Sequence, residues 1–269
     1  MNVFISADIE GTCGIAAWSE TEPGKPDGDY NYFKAQMSEE VAAACRGAVS
    51  AGAARILVKD AHDSARNINP VALPQEAQIN RGWSGDVYSM MSGIQRGEWD
   101  AVVFTGYHAA ASSTGNPLSH TMNTRVDFIE INGVRASEFT LNAYMAGYHG
   151  VPVCFLSGDA AVCEAARRMI PAIAVVPVNK GDGNSATSLH PDVAVRRIEE
   201  TLHNQLDSER YLECLVDMPR EFDIRIRYKE HRDAYRNSFY PGVAQLDEKT
   251  LHFVCEDYMD ALRLFQFVL

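Results

Sequence analysis

Pro152 to Val178 reads PVCFLSGDAAVCEAARRMIPAIAVVPV, and the order of its elements decides the fold. Pro152 to Leu156 and Ala172 to Val178 are apolar runs of strand length, and Ala160 to Met169 between them reads as a helix. Strand, helix, strand is the crossover that joins parallel neighbours, so a largely parallel sheet covered on both faces is expected. Toward the N-terminus, Ala101 to Thr105, Arg55 to Lys59 and Asn2 to Ala7 supply further strands. Phe33, Met37, Val41, Cys45 and Ala48 recur at spacings of three and four, an amphipathic helix that Gly52 stops. Turn residues mark a loop from Thr21 to Gly28. Phe128 to Arg135 reads as a hairpin turning at Asn132-Gly133, and Ser137 to Tyr148 as a helix.

Past Val178 the character changes. Lys180 to Ser185 reads as a polar loop, and a long charged helix follows Pro191. Phe222, Ile224, Ile226 and Tyr228 alternate with Asp223, Arg225 and Arg227, the pattern of a half-buried antiparallel strand. A strand near Leu251 to Cys255 and a helix from Asp257 to Val268 follow. The expected fold is α/β: a three-layer α/β/α arrangement on a largely parallel sheet, plus a smaller C-terminal α+β part. A soft boundary near Leu189 divides the chain into 1–189 and 190–269.

The chain has 269 residues, 46% of them hydrophobic and 22% charged, which is ordinary globular composition. Its net charge of −12 argues against nucleic acid or an anionic membrane surface as partner, since both want a basic face. No apolar run approaches the ~20 residues of a membrane span, and acids interrupt the N-terminal run before a signal peptide could form. Six scattered cysteines with no C-x-x-C read as reduced thiols, so a cytoplasmic location is expected.

The residues just after each early strand carry the chemistry. The first strand ends in Asp8-Ile9-Glu10-Gly11, the second in Asp60-Ala61-His62-Asp63, the third in Gly106-Tyr107-His108. In an open parallel sheet, sites form beyond the carboxyl ends of the strands. Three strand ends therefore bring carboxylates and imidazoles to one sheet edge. Each alone reads as a helix cap or a loop residue; the shared edge makes them candidates. Neutral imidazole with carboxylate suits zinc, and Asp8 has two oxygens with which to bridge two ions. A two-ion clamp activates water and polarises a carbonyl or phosphoryl oxygen. Gly11 lets the backbone turn close to whatever the acids hold. Asp60 and Asp63 are candidates to accept the ligating histidines' other N–H.

Competing motifs are weak. Gly181-Asp182-Gly183 follows a strand, but Ala186 stands where a dinucleotide fingerprint wants its last glycine. No G-x-S-x-G elbow occurs. Cys13 has no basic neighbour in sequence to activate it and reads as packing. His149, His190, His203, His231 and His252 fall outside the strand-end pattern and read as surface residues.

Ser6-Ala7-Asp8-Ile9-Glu10-Gly11 resembles the S-x-D-x-E-G signature of the DppA-type D-aminopeptidases, the dipeptide-operon zinc peptidases. The resemblance continues in order through Lys59 to Ser64, Gly106 to Ala109, Ser119 to Met122, Ile129 to Asn132 and Glu138 to Tyr148, roughly the first two-thirds of the chain. It implies a dinuclear site with two Zn2+ per subunit. The ligands it implies are Asp8 (bridging), Glu10, His62, His108 and Glu138, and His120 becomes the further catalytic histidine. It also implies a homo-oligomer, a ring-like decamer of two stacked pentamers.

The expected function is a zinc-dependent aminopeptidase that removes an N-terminal residue, a D-amino acid such as D-Ala, from short peptides. Residues 1–189 form its metal-binding catalytic domain. Phe139, next to Glu138, is expected to narrow the pocket and favour a small side chain. Two alternatives remain. A metal-dependent phosphoesterase uses the same clamp, but phosphate wants Arg or Lys donors and Lys59 is the only base in the strand-end motifs. A non-catalytic peptide-binding protein of dipeptide uptake needs a pocket and no metal pair.

Overall fold

The computed structural model describes residues 1–25 and 28–269. In chain order the strands are β1 Asn2–Ala7, β2 Arg55–Asp60, β3 Ala77–Asn80, β4 Ala101–Tyr107, β5 Val126–Ile131, β6 Val134–Arg135, β7 Val153–Asp159, β8 Ala174–Asp182, β9 Ser185–Ser188, β10 Phe222–Tyr228, β11 Ala244–Gln245 and β12 Thr250–Cys255. The helices are α1 Tyr30–Ser50, α2 Glu138–Tyr148, α3 Ala160–Met169, α4 Pro191–Asp207, α5 His231–Asn237 and α6 Tyr258–Val268.

Seven strands form the main sheet in the order β3-β2-β1-β4-β7-β8-β9. All neighbours are parallel except the edge hairpin β8-β9. β4 and β7 are buried at every position, as a strand covered on both faces must be. α1 and α4 pack together over one face, and α2 and α3 lie against β7 on the other. The crossovers explain this split. β1-α1-β2 steps one way along the sheet and β7-α3-β8 the other, so right-handed connections put their helices on opposite faces. The strand order reverses between β1 and β4, and such a reversal opens a crevice at the strand ends.

The second sheet is antiparallel, β11-β12-β10-β5-β6. β10 buries Phe222, Ile224, Ile226 and Tyr228 and leaves the alternate residues toward solvent, as its pattern required. Its β5-β6 hairpin turns at Asn132 and Gly133 with φ of 52° and 76°, the paired positive values of a tight two-residue turn. The sheet combines β5 and β6 with strands after residue 220, while α4 packs on α1 and the main sheet.

Two local expectations are corrected, and one lies partly outside the described residues. The stretch Lys180 to Ser185 is a hairpin, not a free loop: β8 runs to Asp182, turns at Gly183 (φ 58°) and pairs back through β9. Between β2 and β4 the chain adds the edge strand β3, only four residues long and only half buried. Of the loop expected from Thr21 to Gly28, Pro26 and Asp27 lie outside the described residues.

Candidate active site

The cleft opens at the β1/β4 reversal. Asp8 follows β1 directly, His62 lies two residues past β2, and His108 follows β4. Glu138 is the first residue of α2, whose N-terminus is capped by the Ser137 hydroxyl. Asp8, Glu10, His62, His108 and Glu138 are all buried. His62 Nδ1 stands 3.4 Å from Asp8 Oδ1 and 3.1 Å from Glu10 Oε2. His108 Nε2 stands 3.5 Å from Asp8 Oδ2 and 3.3 Å from Glu138 Oε2. His120 Nε2 is 3.4 Å from Glu138 Oε1 and 3.8 Å from Glu10 Oε1. All six residues singled out in the sequence therefore meet. Their atoms form three overlapping triads: Asp8-Glu10-His62, Asp8-His108-Glu138 and Glu10-His108-His120.

Each imidazole is oriented by a backbone carbonyl. His62 Nε2 donates to Thr21 O (3.0 Å), His108 Nδ1 to Ala109 O (3.0 Å) and His120 Nδ1 to Leu118 O (2.9 Å). A carbonyl only accepts, so that ring nitrogen carries a hydrogen, and the other ring nitrogen of each histidine is the one facing the carboxylates. Asp60 and Asp63 do not perform this task. Asp60 instead accepts from Asn67 N, Asn67 Nδ2 and Ile68 N, and Asn67 Nδ2 donates to the His62 carbonyl, which fixes the loop. Asp63 lines the cleft, and its carbonyl accepts from Trp83 Nε1 at 2.6 Å.

The electrostatics ask for a cation. Burial, together with the charges of Glu10 and Glu138, pushes Asp8 well above the usual carboxylate range. Burial opposes ionisation of Glu10 and Glu138 as well, but the facing histidines outweigh it and hold Glu138 at about 2. Burial likewise opposes charge on His62 and His108, and their carboxylate partners reverse it, raising both. Three carboxylates this close demand positive charge, which protonated imidazoles or a divalent cation supply. Asp8 Oδ2, Glu10 Oε2 and His108 Nε2 are buried without a hydrogen-bond partner. An oxygen and imidazole donor set with orphaned buried atoms fits zinc.

Gly11 serves a different purpose from the one expected. A Cβ there would stand 1.8 Å from the Tyr107 carbonyl oxygen, and Gly11 N donates to Gly106 O at 2.8 Å. The glycine lets the end of β1 approach the backbone of β4, which brings Asp8 toward His108. Phe139 does not reach the cleft. It is fully buried, its ring edge-on to Phe104 at 5.5 Å, so it sets no limit on a substrate side chain. Cys13 is a packing residue; burial pushes its thiol up to about 12. His149, His203 and His252 are half buried rather than on the surface, whereas His190 and His231 are exposed.

Two residues that sequence reasoning missed hold the loop carrying His120. Asp159, ending β7, accepts from Ala109 N (2.6 Å) and Asn116 Nδ2 (3.2 Å) and caps α3 through Val162 N. Asn116 Nδ2 also donates to the Glu10 carbonyl at 3.0 Å. Asp159 had a signal: it is the strand-end acid of a fourth parallel strand. His120 itself stacks on His108 (4.3 Å between centroids) and meets the edge of Trp18.

With this geometry the comparisons agree. The D-aminopeptidase family model matches residues 1–267. The chain belongs to the D-aminopeptidase family. A curated D-aminopeptidase of Bacillus subtilis (strain 168) is 29% identical over 265 residues, 97% of this chain and 94% of that protein. A solved structure, the Zn-dependent D-aminopeptidase DppA from Bacillus subtilis, described as a self-compartmentalizing protease, superposes with a TM-score of 0.90 at 26% identity. The superposition covers 100% of this chain and 96% of that one. The main sheet and the antiparallel sheet are thus features of a D-aminopeptidase fold.

Proposed function

We propose that this D-aminopeptidase family member is a zinc-dependent aminopeptidase that releases an N-terminal D-residue, D-Ala among them, from short peptides. The observation that carries this reading is the convergence of Asp8, Glu10, His62, His108, Glu138 and His120, with orphaned buried donor atoms, at the strand-order reversal. Two zinc ions would be held by Asp8, Glu10 and His62 and by Asp8, His108 and Glu138, with Asp8 shared. Bound there, zinc supplies Lewis acidity toward the scissile carbonyl and lowers the pKa of water. Asp63, beside His62 on the cleft wall, attracts the substrate's ammonium group. His120, held through Nδ1 by the Leu118 carbonyl with Nε2 facing the cluster, would take the proton of the attacking water and pass it to the departing amine. Trp18 and Trp83 flank the bound peptide.

Among the described residues, no Lys or Arg lines this cleft of about 420 Å³, which disfavours a phosphoester substrate. Among the described residues, no helix is long and apolar enough to cross a membrane. All six cysteines are free buried thiols, which supports a reducing, cytoplasmic setting. The proposal extends to a homo-oligomer, a decamer; the relative's description as self-compartmentalizing supports assembly of copies.

The test is hydrolysis of D-Ala-D-Ala and L-Ala-L-Ala by the zinc-loaded protein and after chelation. Faster cleavage of the D-peptide, by at least the roughly tenfold that ~1.4 kcal/mol gives, and loss on chelation are expected. Equal or greater kcat/KM on the L-peptide refutes the D-selectivity; chelator-resistant cleavage refutes the zinc dependence.

A further inference from the structure

A second cavity of about 200 Å³ adjoins the cleft. The two share Ser89, Met122 and Asn123 as a doorway. Leu141 and Met145 of α2 and Leu262 and Phe265 of α6 form its wall, and no charged side chain lines it among the described residues. Part of its polar lining is already engaged: Asn142 Nδ2 donates to Tyr107 Oη (3.0 Å) and Asn123 Nδ2 to the Leu269 carbonyl (2.9 Å). What remains for a ligand is the apolar wall, with the Ser89 hydroxyl and the Gln266 amide at its margin. At the roughly 30 Å³ of a water molecule, the volume holds about six non-hydrogen atoms.

The doorway is built under strain. Ser89 and Met122 both adopt positive φ, 44° and 66°, which non-glycine residues rarely do. Strained backbone of this kind persists where surrounding structure enforces it, commonly at ligand clamps. Met122 N donates to Glu138 Oε1 at 2.6 Å, so the doorway is tied directly to the carboxylate cluster.

The cavity's side of the cleft decides what enters it. Asp63 and Glu22 adjoin the His62 end, since Glu22 follows Thr21, whose carbonyl holds His62. The doorway adjoins the Glu138 end. A peptide whose ammonium group lies toward Asp63 and whose scissile carbonyl lies over the cluster extends its second residue toward the doorway. We propose that this cavity is the specificity pocket for the residue following the scissile bond, and that it takes an unbranched or branched aliphatic side chain of leucine or methionine size. The inference rests on the peptidase reading above.

The test is calorimetric binding to the zinc-loaded protein of D-alanyl-leucine and D-alanyl-glycine analogues in which a methylene-amine replaces the amide. The leucine analogue should bind roughly tenfold or more tightly, from burial of its side chain. Met145→Trp, which fills the cavity, should bring the two affinities together. Phe265→Ala, which enlarges it, should improve a phenylalanine analogue relative to the leucine one. Each comparison is a ratio within one variant, so a partly folded preparation does not mimic the result. Equal binding of both analogues to the unaltered protein overturns the pocket, as does a ratio that neither substitution moves. A Met145-dependent gain for D-leucyl-glycine analogues instead overturns its assignment to the second residue. Parent peptides left uncleaved while the analogues discriminate would sink the peptidase reading and leave the pocket standing.

Discussion

Asp8 presents its two oxygens to two different histidines, Oδ1 to His62 and Oδ2 to His108, and so belongs to two of the three ligand triads. Removing a shared ligand weakens both positions at once. Asp8→Ala should therefore purify with almost no zinc, against about two ions per chain otherwise, by atomic absorption; full zinc in the variant would remove Asp8 from the site. His120→Ala should keep its zinc and lose kcat by roughly 10²–10⁴-fold, the worth of general acid–base help. Loss of zinc alongside activity would make His120 a ligand, a role the Glu10-His108-His120 triad also permits. Asp8, Glu10, His62 and His108 were legible as a cluster because parallel strands end on one edge. Glu138 and His120 were not legible from spacing. An acid opening a helix ordinarily answers to the helix dipole, and the path of the loop to His120 is set by Asp159 and Asn116, bonds between residues tens of positions apart.

Helix α1 carries a buried carboxylate unconnected with the cleft chemistry. Glu40 Oε1 accepts from Cys13 N (2.9 Å) and Gln36 Nε2 (3.1 Å), while Oε2 has no partner. Burial raises its pKa from 4.5 to about 7. Proton counts give the sign. Below pH 4.5 Glu40 is protonated in both folded and unfolded chains. Between 4.5 and about 7 the unfolded chain ionises while the folded one holds its proton, so stability falls as pH rises. The full loss is on the order of 3 kcal/mol. Glu40→Gln should remove that component: urea midpoints of variant and parent should diverge in the variant's favour from about pH 5 to about pH 8. A difference that stays constant across that range would show that Glu40 does not titrate there. At this scale most of the fold was legible, because fully buried strands such as β4 and a strictly alternating strand such as β10 announce themselves. The edge elements were not. β3 is short and half buried, and β9 is polar enough to pass for loop; both owe their pairing to the strand beside them rather than to their own pattern.

The whole molecule exposes apolar side chains in its later part: Tyr235, Phe239, Leu246, Val254 and Phe267. Tyr235 and Phe239 pair at 5.3 Å, and Phe267 stacks with Tyr240 at 6.2 Å, so part of this surface is clustered rather than scattered. Single exposed hydrophobics need no partner, but clusters of aromatics mark contact surfaces. Identical subunits close into symmetric assemblies through such patches. Each chain also carries a net charge of −12, so subunits repel as they approach. An assembly held by aromatic contacts against like charge should tighten as salt screens the repulsion, whereas one held by exposed ion pairs should loosen. Sedimentation at low and moderate ionic strength separates the two. The expected outcome is a homo-oligomer whose dissociation to smaller species is suppressed by salt. Phe239→Asp with Phe267→Asp should shift the population toward smaller species by adding charge to the contact. An active monomer at all salt concentrations would defeat the proposed assembly, and an oligomer indifferent to both substitutions would move its interface away from these aromatics.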